Sequence, residues 1–99
     1  MRLIAPLLFV AAIAAAPGPV TVTMKNMQFA PAKVSVSKGT TVIWKNGDVV
    51  AHTVTAVDGS WSSESIEPGK TYRHKFTKAG KYAIKCTPHP TMKNTVVVK

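Results

Sequence analysis

The chain has 99 residues, 45% of them hydrophobic, and its 13 lysine and arginine residues outnumber four aspartate and glutamate residues to give a formal net charge of +9. This length accommodates one domain at most. The basic residues are spread along the chain and form no run, which argues against nucleic-acid binding, while the net charge indicates acidic partners.

The N-terminal residues have the form of a signal peptide. A positive residue, Arg2, precedes an uncharged run rich in alanine, leucine and isoleucine at residues 3–16. The run is shorter than the ~20 apolar residues that a membrane-spanning helix needs. We therefore predict a signal peptide at residues 1–16, cut after Ala14 or Ala16, and export to the periplasm or another compartment outside the cytoplasm. A retained membrane anchor is the alternative, and stable membrane insertion is not expected.

Beyond residue 18 the sequence changes to short segments rich in β-branched and aromatic residues, separated by turns that contain glycine. Seven segments are predicted strands: residues 20–24, 33–37, 40–45, 52–57, 70–76, 81–86 and 95–99. The connection at residues 58–69 is the one long enough to be irregular. We predict that residues 17–99 form a single all-β domain, a sandwich or small barrel.

The segment "KCTPHPTMKN" (85–94) concentrates unusual chemistry. Cys86, His89 and Met92 fall within seven residues, and prolines occupy positions 88 and 90. A proline disfavours helical geometry in the residue before it. We therefore predict a stiff loop between two strands, which suits a site whose geometry must not change.

Cys86 is the only cysteine of the chain, although exported proteins normally pair their cysteines. An unpaired cysteine indicates an intermolecular bridge, a reactive thiol or a metal ligand, and only a metal would also use His89 and Met92. A c-type haem is excluded because its attachment needs two cysteines. Thiolate and thioether donors favour copper, and zinc is the second choice.

A second histidine ligand would have to come from outside this segment. His52 follows the loop "NGDVVA" at the start of a predicted strand, and His74 lies inside the predicted strand "TYRHKF". For His74 a plain strand histidine is the favoured interpretation. The residues alone leave His52 open between a structural histidine and a ligand.

Two segments carry a resemblance to a known family. "WKNGDVVAHTV" (44–54), followed by "CTPHPTM" (86–92), resembles the cupredoxins, the small type 1 blue copper proteins, and the short Cys-x-x-His-x-x-Met spacing is similar to that of the amicyanins. The resemblance implies a Greek-key β-sandwich or barrel of seven to eight strands. It also implies one type 1 copper ion and the transfer of single electrons by Cu(II)/Cu(I) cycling, with no enzymatic activity of its own.

The resemblance also assigns residues to the site. His52, Cys86 and His89 match the equatorial ligands and Met92 the axial one. Asn46 matches an asparagine whose side chain ties the histidine-bearing loop to the cysteine loop, and His89 matches the exit for the electron.

The expected partner is an acidic redox protein, such as a dehydrogenase, a cytochrome or an oxidase, and the protein itself is expected to be a monomer. Two alternatives come from other classes. A copper carrier or chaperone would use the same soft donors without an electron-transfer role. A hydrolase would use Cys86 as a nucleophile with a histidine as its base.

Overall fold

The computed structural model describes residues 18–99, so the predicted signal peptide lies outside the described residues. The described residues form eight strands, namely β1 (Val20–Lys25), β2 (Gln28–Ala30), β3 (Lys33–Val36), β4 (Thr40–Asn46), β5 (Thr55–Ala56), β6 (Thr71–Phe76), β7 (Gly80–Cys86) and β8 (His89–Val98). In this part of the chain we find no helix, and therefore none that could cross a membrane.

The strands build two four-stranded sheets around one core. The first sheet has the order β2-β1-β4-β6 and the second has the order β3-β8-β7-β5. Neighbouring strands are antiparallel except for two pairs, β1 with β4 and β3 with β8, which are parallel. The predicted all-β sandwich is confirmed.

Alternation of side chains explains why these segments fold as strands. In β4 the residues Thr40, Val42, Trp44 and Asn46 point into the core, and the residues between them are partly or fully exposed. Residues of both sheets contribute to one hydrophobic cluster, which includes Trp44, Phe76 and Ile84. Each aliphatic or aromatic side chain buried there stabilises the fold by about 1.5–3 kcal/mol.

The prediction of the strands needs two corrections at this point. The three-residue strand β2 was not predicted, because it is too short to show a pattern. The predicted strand at residues 52–57 is reduced to Thr55–Ala56, and His52 pairs with Ile66 in an isolated bridge instead. The reason is that the long connection before β6 folds back along this segment, as the hydrogen bond from Ser63 N to Val54 O at 2.8 Å shows.

The predicted loop between Cys86 and Met92 is instead a tight hairpin. Cys86 pairs directly with His89, and the register then shifts so that Lys85 pairs with Lys93. Residues 90–92 therefore bulge out of the ladder, which is why a proline at position 90 is tolerated in β8. The hairpin holds the ends of β7 and β8 in fixed positions.

Candidate metal centre

Donor atoms of His52, Cys86 and His89 converge where β7 ends and β8 begins. The Nδ1 atoms of the two histidines lie 3.1 Å apart, and Cys86 Sγ lies 3.7 Å from His52 Nδ1 and 3.5 Å from His89 Nδ1. Within residues 18–99 this is the one group of histidine, cysteine and carboxylate side chains arranged to hold a metal ion. The fold brings all three predicted equatorial ligands together.

The size of this group fits a transition-metal ion. A triangle with sides of 3.1, 3.5 and 3.7 Å has its centre about 2.0 Å from each corner, compared with ~2.0–2.1 Å for zinc–imidazole and ~2.3 Å for zinc–thiolate bonds. Two imidazoles and one thiol match the trigonal set of electron-transfer copper sites. Structural zinc ordinarily takes four cysteine or histidine donors, and the described residues bring only three together.

Cys86 and His89 owe their positions to the hairpin. Cys86 is the last residue of β7 and is fully buried, whereas His89 opens β8 and is half-buried. The backbone N–H of Thr53 donates to Cys86 Sγ at 3.3 Å. A donor aimed at the sulfur stabilises negative charge on it and is one of the levers that tune a copper–thiolate site.

His52 is held from two sides. Its backbone exchanges two hydrogen bonds with Ile66, at 3.2 and 2.8 Å, and its ring is fully buried. While Nδ1 faces Cys86 and His89, the other ring nitrogen, Nε2, lies 2.8 Å from Asp48 Oδ2. Asp48 was not among the predicted site residues, because nothing in a loop sequence indicates which way a carboxylate turns.

Met92 lies in the bulge of β8, three residues after His89. Its side chain is buried and belongs to the same hydrophobic cluster as Cys86. A buried thioether beside a buried thiol is compatible with a weak axial donor. The axial role of Met92 remains a prediction.

Within residues 18–99 the hydrogen bonds of the Asn46 side chain all go to the histidine-bearing side of the site. Its side-chain amide donates to the carbonyls of Val50 and Ile66, both at 2.8 Å, and its Oδ1 accepts a hydrogen bond from the Asp48 N–H at 2.8 Å. The expected link from Asn46 to the cysteine loop is therefore not found. Asn46 instead stabilises the loop that leads to His52, because its side chain hydrogen-bonds with Asp48 and Val50 in that loop and with Ile66.

Thr53 supplies the link that was expected of Asn46. Its hydroxyl accepts a hydrogen bond from the Thr87 N–H at 2.8 Å, and its own N–H is the group that donates to Cys86 Sγ. Thr53, which directly follows His52, therefore connects the His52 segment to the turn between Cys86 and His89. A threonine inside a predicted strand gives no signal of such a role.

His74 lies outside the group of converging donors. In β6 its ring stacks on Trp61 with the ring centres 4.0 Å apart and the planes tilted by 15°. Burial lowers the pKa of His74 below its ordinary value. Its side of β6 points toward the core, so the interpretation of His74 as a packing histidine agrees with its place in the structure.

The charge distribution around the site is one-sided. Among the described residues, the four carboxylates all lie between positions 48 and 67, in the connections that flank β5, and the strands carry only basic charges. Among these residues, the one basic side chain within salt-bridge distance of a carboxylate is His52, which lies 2.8 Å from Asp48, and it is neither a lysine nor an arginine. The lysine and arginine side chains there are therefore not neutralised by carboxylates.

A two-sheet β-sandwich in which two imidazole nitrogens and one thiol sulfur converge beside a buried methionine defines a copper protein of the cupredoxin type. Residues 17–99 match the family model of copper binding proteins, plastocyanin/azurin family. The chain belongs to this family, and its cupredoxin fold and its copper cofactor are confirmed.

Individual relatives agree with this placement. Amicyanin of Paracoccus versutus is 33% identical over 85 residues, which are 81% of this chain and 64% of that protein. Amicyanin-alpha of Methylorubrum extorquens is 34% identical over 87 residues, which are 83% of this chain and 73% of that protein. The chain thus spans slightly less than two thirds of the first relative. The predicted similarity to amicyanins is confirmed.

Solved structures give the same result. The Cu(I) form of an amicyanin mutant superposes with a TM-score of 0.79 at 31% identity, and the match covers 89% of each chain. A copper-containing nitrite reductase from Thermus scotoductus superposes with a TM-score of 0.77 at 32% identity, over 82% of this chain but only 22% of the reductase. The fold is thus similar both to small copper proteins and to one part of a larger enzyme.

Proposed function

We propose that this protein is an exported carrier of single electrons, in which His52, Cys86 and His89 would be the principal ligands of copper and Met92 would be a weak fourth donor. The observation that carries the proposal is the convergence of two histidine Nδ1 atoms and one cysteine sulfur within 3.7 Å of one another. Copper bound there would supply the Cu(II)/Cu(I) couple.

The surrounding residues would keep the site nearly unchanged in both oxidation states. His52 and Cys86 are fully buried, and each is fixed by backbone pairing, with Ile66 and with His89 respectively. Hydrogen bonds through Thr53 connect the two segments. Donors held in this way do not have to reorganise when charge is added or removed, and this favours electron transfer over ready exchange of the metal.

His89 is the group through which we propose that the electron leaves. It is the least buried of the three donors, and Pro88 and Pro90 on either side of it are exposed. Two exposed valines, Val49 (91% exposed) and Val50 (43%), lie in the loop that leads to His52. Exposed apolar residues beside one ligand and in the loop before another would let a partner approach the metal closely and exclude water.

We propose an acidic redox protein as the partner, such as a dehydrogenase, a cytochrome or an oxidase, and a monomeric carrier that catalyses no reaction of its own. The unneutralised lysine and arginine side chains of the strands support an acidic partner, because charge complementarity accelerates encounter. The apolar run at residues 3–16 supports export to the periplasm or a comparable compartment.

The test is to load the purified protein with Cu(II) and to record its visible and electron paramagnetic resonance spectra. An intense visible band, reversible reduction and reoxidation, and slow loss of copper to a chelator are expected. A colourless Cu(II)-loaded protein would contradict the thiolate–copper assignment. Rapid exchange of copper without reversible cycling would favour a copper carrier or chaperone instead.

A further inference from the structure

The Asp48 carboxylate has three hydrogen-bonding partners next to the proposed copper site. Its Oδ2 lies 2.8 Å from His52 Nε2 and accepts a hydrogen bond from the Met27 N–H at 3.0 Å, and its Oδ1 accepts one from the Asn26 N–H at 2.7 Å. The Asp48 N–H is itself held by Asn46 Oδ1 at 2.8 Å. Only 12% of the Asp48 side chain is exposed.

Both carboxylate oxygens of Asp48 are placed as acceptors, Oδ1 of the Asn26 N–H at 2.7 Å and Oδ2 of the Met27 N–H at 3.0 Å. A carboxylate that receives backbone N–H groups at both oxygens acts as an acceptor toward His52 as well. The proton between Asp48 and His52 must then be on His52 Nε2. A neutral imidazole has one N–H, so Nδ1 is left with the free lone pair that a metal ion needs.

The same carboxylate stabilises the turn between β1 and β2. Asn26 and Met27 both have positive φ, 55° and 60°, as the two central residues of a type I′ turn do. Asparagine tolerates this conformation, but methionine rarely adopts it. Because both N–H groups of this turn donate to Asp48, the turn and His52 are held by one anion.

On the basis of the proposed copper-carrier function, we infer that Asp48 is a positioning residue of the copper centre. Its carboxylate holds His52 in the tautomer and orientation that present Nδ1, and its negative charge, placed against the far side of the ring, favours Cu(II) over Cu(I). This role is distinct from the predicted role of Asn46, which contacts backbone groups and no metal-binding side chain.

The variant Asp48→Asn tests the charge, because asparagine has nearly the same size but no charge. Removing an outer-shell partner of a ligand typically weakens metal affinity by about 10–100-fold. We expect a loss of Cu(II) affinity in this range and a smaller loss for Cu(I). A tenfold difference between the two corresponds to a rise in reduction potential of about 59 mV for a one-electron couple. Asp48→Glu, which keeps the charge, should restore most of the potential.

Asp58→Asn is the matched control, since it removes the same charge from an exposed turn where, among residues 18–99, the carboxylate hydrogen-bonds with Ser60 alone. Reduction potential, Cu(II) dissociation into a chelator and the Cu(II) paramagnetic spectrum are measured for each variant. The inference is overturned if Asp48→Asn matches Asp58→Asn in potential and in dissociation. A merely structural role of Asp48 would lower the unfolding midpoint of the metal-free protein without moving the potential.

The tautomer of His52 gives a second measurement that needs no copper and no variant. Two-bond proton–nitrogen correlation spectra of the metal-free wild-type protein should place the His52 proton on Nε2. A proton on Nδ1 would overturn the inference even if Asp48 variants fail to fold. If the Cu(II)-loaded wild-type protein is colourless, the proposed function fails. The tautomer of His52 in the metal-free protein would still show whether Asp48 accepts its proton.

Discussion

Trp44 Nε1–H donates a hydrogen bond to Asn94 Oδ1 at 2.8 Å between the two sheets, and both side chains are buried. Trp44 lies in β4 of the first sheet and Asn94 in β8 of the second. The amide of Asn94 also donates to the carbonyls of Pro31 and Ala32, at 3.1 and 2.7 Å. One asparagine thus connects both sheets with the segment that precedes β3.

This relationship predicts that Asn94→Ala is strongly destabilising. The substitution leaves the buried indole N–H without its acceptor, and a buried polar group left unpaired costs about 1–3 kcal/mol. The Pro31 carbonyl also loses a donor, whereas the Ala32 carbonyl keeps the hydrogen bond from the Thr95 N–H at 2.9 Å. Denaturant unfolding of the metal-free protein, which removes any contribution from bound copper, measures the loss. Gln28→Ala, at an exposed position of β2, is the control and should change the free energy of unfolding little. An Asn94→Ala protein as stable as the control would contradict the role of this network.

The thiol of Cys86 should be the only source of an intense visible band, because it is the only cysteine of the chain. Cys86→Ser retains nearly the same volume in the core and should fold. We expect the variant with Cu(II) to lack the band, whatever copper it still binds. A band of unchanged intensity in Cys86→Ser would show that Cys86 is not a ligand.

His74 predicts a pH dependence of stability. Because burial lowers its pKa below the ordinary 6.5, the unfolded chain binds a proton at a higher pH than the folded chain does. The contribution of His74 to the free energy of unfolding should therefore be largest above pH 6.5 and should fall as the pH drops through 6.5 toward the lowered pKa of the folded state. The stack of His74 on Trp61 can be kept while the titration is removed by the substitution His74→Phe.

Unfolding midpoints of metal-free wild type and His74→Phe are compared at pH values above and below 6.5. Groups other than His74 titrate in both proteins, so the difference between the two isolates this histidine. We expect the wild type to lose stability relative to His74→Phe at the lower pH. A gain instead would mean that contact between protonated His74 and Trp61 outweighs the effect of burial.

The cluster of Cys86, His89 and Met92 was predictable because its members are neighbours in sequence and their residue types are informative. The strands with clear alternation, such as β4 and β7, were predicted for the same reason. The assignment of His52 as a ligand required the family resemblance, because the sequence between His52 and Cys86 does not show how close the two side chains lie in the fold. Asp48 and Thr53 were not predicted, because their contacts join segments that only the tertiary fold brings together.

Two boundary errors have a common physical origin. β5 is short because the connection at residues 57–70 pairs with one of its edges, and β8 begins early because Cys86 pairs with His89 across a two-residue turn. Both are pairings of backbone groups, which no single segment specifies. Pro88 and Pro90 predict a stiff segment, which stays a prediction, and they give no indication of the bulge in β8.

The last prediction concerns two lysines beside the copper hairpin. Lys85 in β7 pairs directly with Lys93 in β8, and they adjoin Cys86 and Met92 in sequence. Like charges opposite each other in a sheet are unfavourable, and among residues 18–99 neither lysine is paired with a carboxylate. We expect this pair to attract an anionic partner toward the metal. Such steering acts over a Debye length of ~30 Å at 0.01 M salt but only ~10 Å at 0.1 M.

Stopped-flow oxidation of the Cu(I) protein by hexacyanoferrate(III), an anionic one-electron oxidant, measures this attraction. Steering changes association rates by about 10–1000-fold, so the rate should fall steeply as salt rises and should fall further in the double variant Lys85→Glu, Lys93→Glu. The double variant Lys45→Glu, Lys75→Glu makes the same change in net charge on the outer side of the other sheet, in β4 and β6, and should be less affected. Equal rates for the two double variants would mean that only net charge matters. If the rates of both variants also do not depend on salt concentration, the lysines contribute nothing to encounter. The apolar surface around His89 would then be the docking site.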